Sequence, residues 1–220
     1  MRKLAIVGVI AAVVLMMAGQ AGATAEIEVI SGGQTDLINP ATNGTVTMPD
    51  GWSVTLSYTA NPPGPGFVLD LGTITVSGPT TLITSGAGQN NTLEILLSGT
   101  GFTASGTAVF DVSGSSIGNL TVTSEKAYYS TTNSIFAETT QIGSTLGPYS
   151  SGFNATTTGT ITSSSYSLTE DLLLTATSSG ANVTASLDSG LTVTPEPGTL
   201  LLVGAGMVGL TVFRGRRKKA

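Results

Sequence analysis

The sequence predicts an all-β domain, a single antiparallel β-sandwich of the jelly-roll or immunoglobulin-like kind, flanked by an N-terminal signal helix and a C-terminal transmembrane helix. Three observations lead to this fold class. Apolar residues alternate with polar ones over short runs, as in strands with one buried and one wet face. Turn-forming residues separate these runs at a spacing of about 8 to 12 residues, which is typical of sandwiches and barrels. No stretch between the two ends of the chain keeps a helical period for about three turns.

The N-terminus carries the pattern of a secretory signal peptide. Arg2 and Lys3 precede an apolar run over residues 4–18, and the small residues Ala21 and Ala23 occupy the positions that signal peptidase reads. We therefore assign residues 1–23 to a signal peptide, with signal peptidase as a processing partner. Cleavage after Ala25 is an alternative, and an uncleaved membrane anchor is less favoured because the run is short.

Residues 24–194 form the predicted β-domain, in which Thr and Ser fill the wet faces of the strands. Leu168 to Ala176 is interpreted as a buried strand, and Trp52 as a core residue. The alternating apolar positions are Ile27 and Val29; Trp52, Val54, Leu56 and Tyr58; Ile74 and Val76; Ile95 and Leu97; Leu120 and Val122; Val183 and Leu187; Leu191 and Val193. Turns are predicted at Asn43-Gly44, Pro49-Asp50-Gly51, residues 61–66, Gly78-Pro79, residues 86–88, Ser113-Gly114, Gly147-Pro148, Ser179-Gly180 and Ser189-Gly190.

The charge of this domain excludes one class of partner. Lys126 is its only cation against twelve acidic residues, which gives a net charge of −11. Such a surface repels phosphate backbones, so we expect no nucleic-acid binding. The chain also has no Cys and no His. It therefore lacks the usual zinc and iron ligands and every Ser-His or Cys-His nucleophile arrangement.

No catalytic residue, cofactor or metal site is predicted. A glycosidase needs two carboxylates a few Å apart, and the available acids are interpreted as solvated surface: Glu94, Glu125, Glu138, Glu170 and Asp171. Calcium is the one metal that the composition allows. Its candidate ligands Asp70, Asp111 and Asp188 lie beside predicted turns, and a turn-closing role is favoured for them.

The C-terminus combines three parts in a fixed order. The tripeptide Pro195-Glu196-Pro197 is followed by an uncharged run over residues 199–213 and then by five cations, Arg214, Arg216, Arg217, Lys218 and Lys219. A helix of that length covers roughly 22 Å, short of the ~30 Å hydrocarbon core. We expect it to hold the protein in the membrane temporarily, with the cations on the cytoplasmic side. A plain anchor that is never cut is the alternative.

These three parts resemble the PEP-CTERM sorting signal, over residues 195–220. The resemblance implies recognition by exosortase, a membrane protease-transpeptidase of Gram-negative bacteria that make extracellular polysaccharide. It also implies cleavage near the Pro-Glu-Pro tripeptide and loss of the apolar helix. The stretch from Gly204 to Gly209 fits the dinucleotide fingerprint G-x-G-x-x-G as well, but no βαβ unit surrounds it.

The leading functional hypothesis is an exported, non-enzymatic protein that exosortase delivers to the cell surface or the extracellular polysaccharide matrix. There it would act as a structural or adhesive component. One alternative is a carbohydrate-binding module that holds matrix polysaccharide through Tyr128 or Tyr129, one of which should be exposed because neighbouring strand residues point to opposite faces. Hydrolysis of that polysaccharide is less favoured.

Overall fold

The structure is a computed structural model that describes residues 24–38, 44–61, 67–83, 90–115, 117–178 and 184–195. These residues form β-strands and no helix, which confirms the predicted all-β class. The strands are β1 (Ala25–Ser31), β2 (Gln34–Ile38), β3 (Gly44–Thr47), β4 (Ser53–Leu56), β5 (Thr59–Asn61), β6 (Phe67–Ser77), β7 (Thr92–Phe102), β8 (Gly106–Ser115), β9 (Leu120–Ser130), β10 (Thr140–Gln141), β11 (Phe153–Ile161), β12 (Tyr166–Ala176) and β13 (Thr184–Pro195).

The strands build two antiparallel sheets. Sheet A has the order β10-β9-β12-β7-β1-β2, and sheet B has the order β11-β8-β13-β6-β4-β3, with β5 paired to β6. Successive long strands from β6 to β9 alternate between the two sheets, so the chain repeatedly crosses from one to the other. The predicted buried strand over residues 168–176 is confirmed as part of β12, which is central in sheet A.

One hydrophobic core joins the inner faces of both sheets. Ile95 and Leu172 contribute from sheet A, whereas Phe110 and Leu191 contribute from sheet B. Trp52 is fully buried, as predicted, and its indole Nε1 donates a hydrogen bond to the Asn90 carbonyl oxygen at 2.8 Å. The indole needs this acceptor because a buried N–H without a partner costs free energy.

Bulges interrupt the alternation at two places that matter below. In β9 the register against β12 slips by one residue at Thr123. In β6 two residues, Gly72 and Thr73, lie opposite Asp188 of β13. Because the side-chain period of a strand is two, each extra residue moves all following side chains to the other face.

Both ends of the described chain lie at one end of the domain. The Thr24 carbonyl accepts a hydrogen bond from the Thr100 amide at 3.0 Å, and Pro195 pairs with Gly106. Residues 103–105 join the strands that carry these two partners. We call this the proximal end of the domain, and the opposite one, where β13 begins at Thr184, the distal end.

The predicted signal helix and C-terminal transmembrane helix fall outside the described residues. Within the ranges that are described, the structure holds no helix with the length and apolar character needed to cross a bilayer.

Candidate functional site

A groove on the outer face of sheet B is a candidate site for a ligand. Its volume is about 380 Å³, and it is lined by Asp70, Asp111, Val112, Ser113, Asn154, Asp188, Gly190 and Thr192. The lining comes from four neighbouring strands, β6, β13, β8 and β11. Most of these side chains present oxygen atoms, so the groove offers mainly hydrogen-bond acceptors and hydroxyl groups.

The groove exists because a glycine lies between two acids in the same row of the sheet. Gly190 on β13 pairs with Asp70 on one side and with Asp111 on the other. The middle position lacks a side chain, so the two flanking carboxyl groups border an open notch. A Cβ atom built on Gly190 would lie 3.8 Å from Asp70 Oδ1, an ordinary contact, so the notch is open space rather than a tight backbone approach.

The acids of the groove differ in their environments. Partial burial, with the nearby charge of Asp188 as a second cause, raises the pKa of Asp70. Asp111 is exposed, and its Oδ1 accepts a hydrogen bond from Thr156 Oγ1 at 2.6 Å. A hydroxyl-rich ligand could donate to these carboxylates and accept from the Ser113 and Thr192 hydroxyls.

The prediction that these three aspartates lie beside turns is wrong. Asp70 and Asp111 lie inside long strands, and Asp188 lies opposite the β6 bulge. They line one groove, although among the described residues no group of three or more Asp, Glu, His or Cys side chains is arranged to hold a metal ion.

Two of the acids interpreted as surface are buried between the sheets instead. Glu125 and Glu170 are 2% and 1% exposed. Glu170 Oε2 accepts a hydrogen bond from Ser189 Oγ of sheet B at 2.8 Å, and the Leu71 backbone also bonds to this carboxyl group. Leu71 directly precedes the β6 bulge. Glu170 of sheet A therefore bonds to sheet B beside the point where the register between β6 and β13 shifts.

Burial disfavours the charged form of both of these carboxyl groups. Loss of hydration raises the pKa of Glu125 to about 8 and raises that of Glu170 well above its ordinary value, with the charges of Asp70 and Glu125 adding to the rise. One oxygen of each group has no hydrogen-bond partner among the described residues. Enclosed between the sheets, neither group can reach an extended polysaccharide.

A third acid, Asp171, is buried on the outer face of sheet A, which corrects its surface assignment. Its Oδ2 accepts a hydrogen bond from Lys126 Nζ at 2.7 Å in an ion pair, and its Oδ1 has no partner in the described part of the chain. The segment 131–139 covers part of this face, because the Phe136 amide donates to Ser98 Oγ at 2.9 Å. Glu94 and Glu138 are nearby, and burial followed by the charge of Asp171 raises the pKa of each.

The tyrosine pair lies on β9 as expected, with one ring on each face of the sheet. Tyr129 packs edge-on against Tyr166, with ring centroids 6.3 Å apart, and belongs to the edge of the core. Tyr128 lies half-buried on the outer face near Lys126. Neither residue contributes to the groove on sheet B, and none of the described residues that line this groove is aromatic.

Of the predicted sorting residues, the structure places only Pro195, as the last residue of β13. The remaining residues of the tripeptide, the five tail cations, and Ala21 and Ala23 at the signal-peptide junction lie outside the described residues.

Comparison with known families identifies the C-terminal segment. Residues 193–218 match the PEP-CTERM protein-sorting motif, so the chain carries this motif, whereas no family accounts for the central domain. The motif implies an exported protein with exosortase as its processing partner. No curated protein is detectably similar to the chain in sequence.

Several solved structures share a weak similarity with the domain. The PA14 sugar-binding domain from an RTX adhesin is 14% identical, with 79% of this chain and 90% of that chain covered and a TM-score of 0.35. The PA14 domain of the MpAFP antifreeze protein is 13% identical, with 76% and 80% covered and a TM-score of 0.34. A cleaved adhesin domain of Lys-gingipain from Porphyromonas gingivalis is 13% identical, with 77% and 99% covered and a TM-score of 0.31. These similarities are too low to transfer a function to this chain.

Proposed function

We propose that this protein is a non-enzymatic structural or adhesive component of the cell surface or extracellular polysaccharide matrix, released there after exosortase removes its C-terminal tail. The observation that carries the proposal is the sorting motif at residues 193–218, joined directly to an acidic β-domain. Pro195 is at once the end of β13 and the start of the tripeptide. The segment that the motif would sort is therefore a folded domain. No catalytic site is recognisable in the sequence of that domain.

The sorting step is tested by following the fate of the tail in a host that has exosortase. We expect surface-bound wild-type protein to lack residues 200–220 by mass spectrometry. Glu196→Gln keeps the size of the side chain and removes its charge, and we expect this variant to stay full-length in the membrane fraction. Surface material with peptides that continue intact from Leu200 to Arg214 contradicts the proposal.

A second candidate function is binding of a neutral polysaccharide in the groove of sheet B. The notch at Gly190 between Asp70 and Asp111 supports it, because carboxylates accept hydrogen bonds from sugar hydroxyls whereas the domain's negative charge disfavours acidic polymers. The proposed site therefore differs from the one predicted from the sequence at Tyr128 or Tyr129.

Binding of the processed protein to its host's polysaccharide tests this second function. Gly190→Leu fills the notch, and we expect it to weaken binding at least about 10-fold, equivalent to about 1.4 kcal/mol. Thr160→Leu adds apolar bulk at an exposed position of β11 outside the groove and serves as the matched control. Equal loss in both variants contradicts groove binding, and release of shortened saccharides during the assay would indicate a hydrolase instead.

A further inference from the structure

The junction between the folded domain and the sorting tripeptide has no spacer. Val193, Thr194 and Pro195 of β13 pair with Ala108, Thr107 and Gly106 of β8, and Val193 also pairs with Phe67 of β6. Glu196 follows directly in the sequence. The tripeptide therefore begins inside the hydrogen-bonded ladder of sheet B.

An interior strand of a sheet is a poor substrate for any enzyme that binds a peptide in extended form. Such binding uses the peptide's own backbone donors and acceptors, whereas residues 193–195 lie in the ladder with β8, and Val193 also pairs with β6. Proteins are cut where the backbone is exposed or transiently opened. Access to this junction consequently depends on how often the end of β13 separates from its neighbours.

The position of the junction fixes which end of the domain faces the membrane. Thr24 and Pro195 both lie at the proximal end, so the domain is tethered there while the tail is in place. The described turns at this end, residues 103–105, 131–135 and 162–165, contain no charged residue. The acidic side chains of the groove and of the outer face of sheet A lie on the sides of the domain instead. These turns can approach an anionic headgroup layer without the repulsion that the sides of the domain would cause.

We propose that fraying of the proximal end of β13, over residues 193–195, limits the rate at which exosortase processes this protein. The proposal rests on the proposed function, since it concerns the same cleavage. Val193 is fully buried, and burial of a side chain of that size lowers the population of the frayed state about 10- to 150-fold. Locking the strand end should slow processing, and moving the tripeptide away from the sheet should accelerate it.

Two disulfide variants separate fraying from general stabilisation. The chain has no cysteine, so each engineered pair would contain the only thiols. Thr107→Cys with Thr194→Cys joins the paired residues at the proximal end, whereas Ser115→Cys with Ser186→Cys joins the same two strands at the distal end. Both pairs are eight residues apart in one uninterrupted register, so they occupy equivalent ladder positions.

The assay is the time course of tail removal for the full chain in an exosortase-bearing host, with thiol labelling to measure disulfide formation. We expect the proximal disulfide to slow processing at least about 10-fold, reversibly with dithiothreitol, and the distal disulfide to leave the rate unchanged. A flexible Gly-Ser insertion of six residues after Thr194 needs no disulfide and should accelerate processing about 10-fold or more. The same insertion at Gly33, in a β1–β2 turn with open space around it, should have no effect.

The outcomes distinguish this proposal from the one on which it rests. If the insertion after Thr194 leaves the rate unchanged while Glu196→Gln abolishes processing, fraying is not limiting and the sorting proposal stands. Equal slowing by both disulfides likewise overturns the role of the proximal end. If the wild-type chain is never processed, both proposals fail together.

Discussion

Glu125→Gln should make the stability of this domain less dependent on pH. Glu125 is buried between the sheets, and no residue that the structure describes forms a hydrogen bond with Oε2 of its carboxyl group. Its pKa is raised from an ordinary value of 4.5 to about 8 by burial. Between these two pH values the unfolded chain releases this proton while the folded domain retains it. The folded state then binds more protons than the unfolded state, so the free energy of unfolding falls as pH rises.

The size of this effect follows from the two pKa values. One retained proton changes stability by about 1.4 kcal/mol per pH unit, so holding Glu125 neutral at pH 7 costs about 3 kcal/mol relative to pH 4. Gln has nearly the same shape and no proton to release. The free energy of unfolding of the variant should therefore fall less steeply with pH than that of the wild type, by about 1.4 kcal/mol per pH unit between pH 5 and 8.

Urea unfolding at a series of pH values measures this slope directly. The comparison at pH 4 is an internal control, because the side chain is mainly neutral there in both the folded and unfolded states of both proteins. Any difference at pH 4 reports the packing of the amide and is subtracted. If the wild-type and Glu125→Gln curves run parallel from pH 5 to pH 8, the carboxyl group is not held neutral in the core and the reasoning is refuted.

Three further substitutions test contacts that hold the domain together. Ser189→Ala removes the hydroxyl that donates to Glu170 Oε2 and should lower the free energy of unfolding by about 1 to 3 kcal/mol, whereas Ser186→Ala on the same strand should change it little. Lys126→Met leaves the buried Asp171 without its ion-pair partner and should destabilise by about 3 kcal/mol or more, and adding Asp171→Leu should recover most of that loss in a double-mutant cycle. Asn90→Ala removes a side chain that bonds to the Ile83 amide and to the Asp50 and Thr81 carbonyls. The variant should have a lower urea midpoint and faster amide exchange at Ile83. An unchanged exchange rate at Ile83 would contradict this prediction.

The strands could be predicted because apolar and polar residues alternate strongly along them. The same alternation explains why buried acids were wrongly assigned to the surface. Glu170 falls in phase with Leu168 and Leu172, all of which face the core, so its burial was readable from the sequence. Glu125 is out of phase with Val122 and turns inward only because of the bulge at Thr123. The sequence carries a trace of that bulge, since the apolar positions of β9 shift from Leu120 and Val122 to Ala127.

The groove could not be predicted in the same way. Asp70, Asp111 and Asp188 are far apart in the chain, and they meet only because β13 lies between β6 and β8. Sheet order depends on which strands pair over long range, and local periodicity does not specify it. The predicted turn at Ser189-Gly190 is wrong, because both residues lie inside β13. A glycine inside a strand often marks a bulge or an open approach to the backbone.

One strand connects the groove to the membrane tether. Gly190 and Pro195 both belong to β13 and are five residues apart, a distance of roughly 17 Å along a strand. β13 therefore links the two proposals, because the strand whose proximal end is proposed to limit cleavage also carries the glycine of the proposed binding groove.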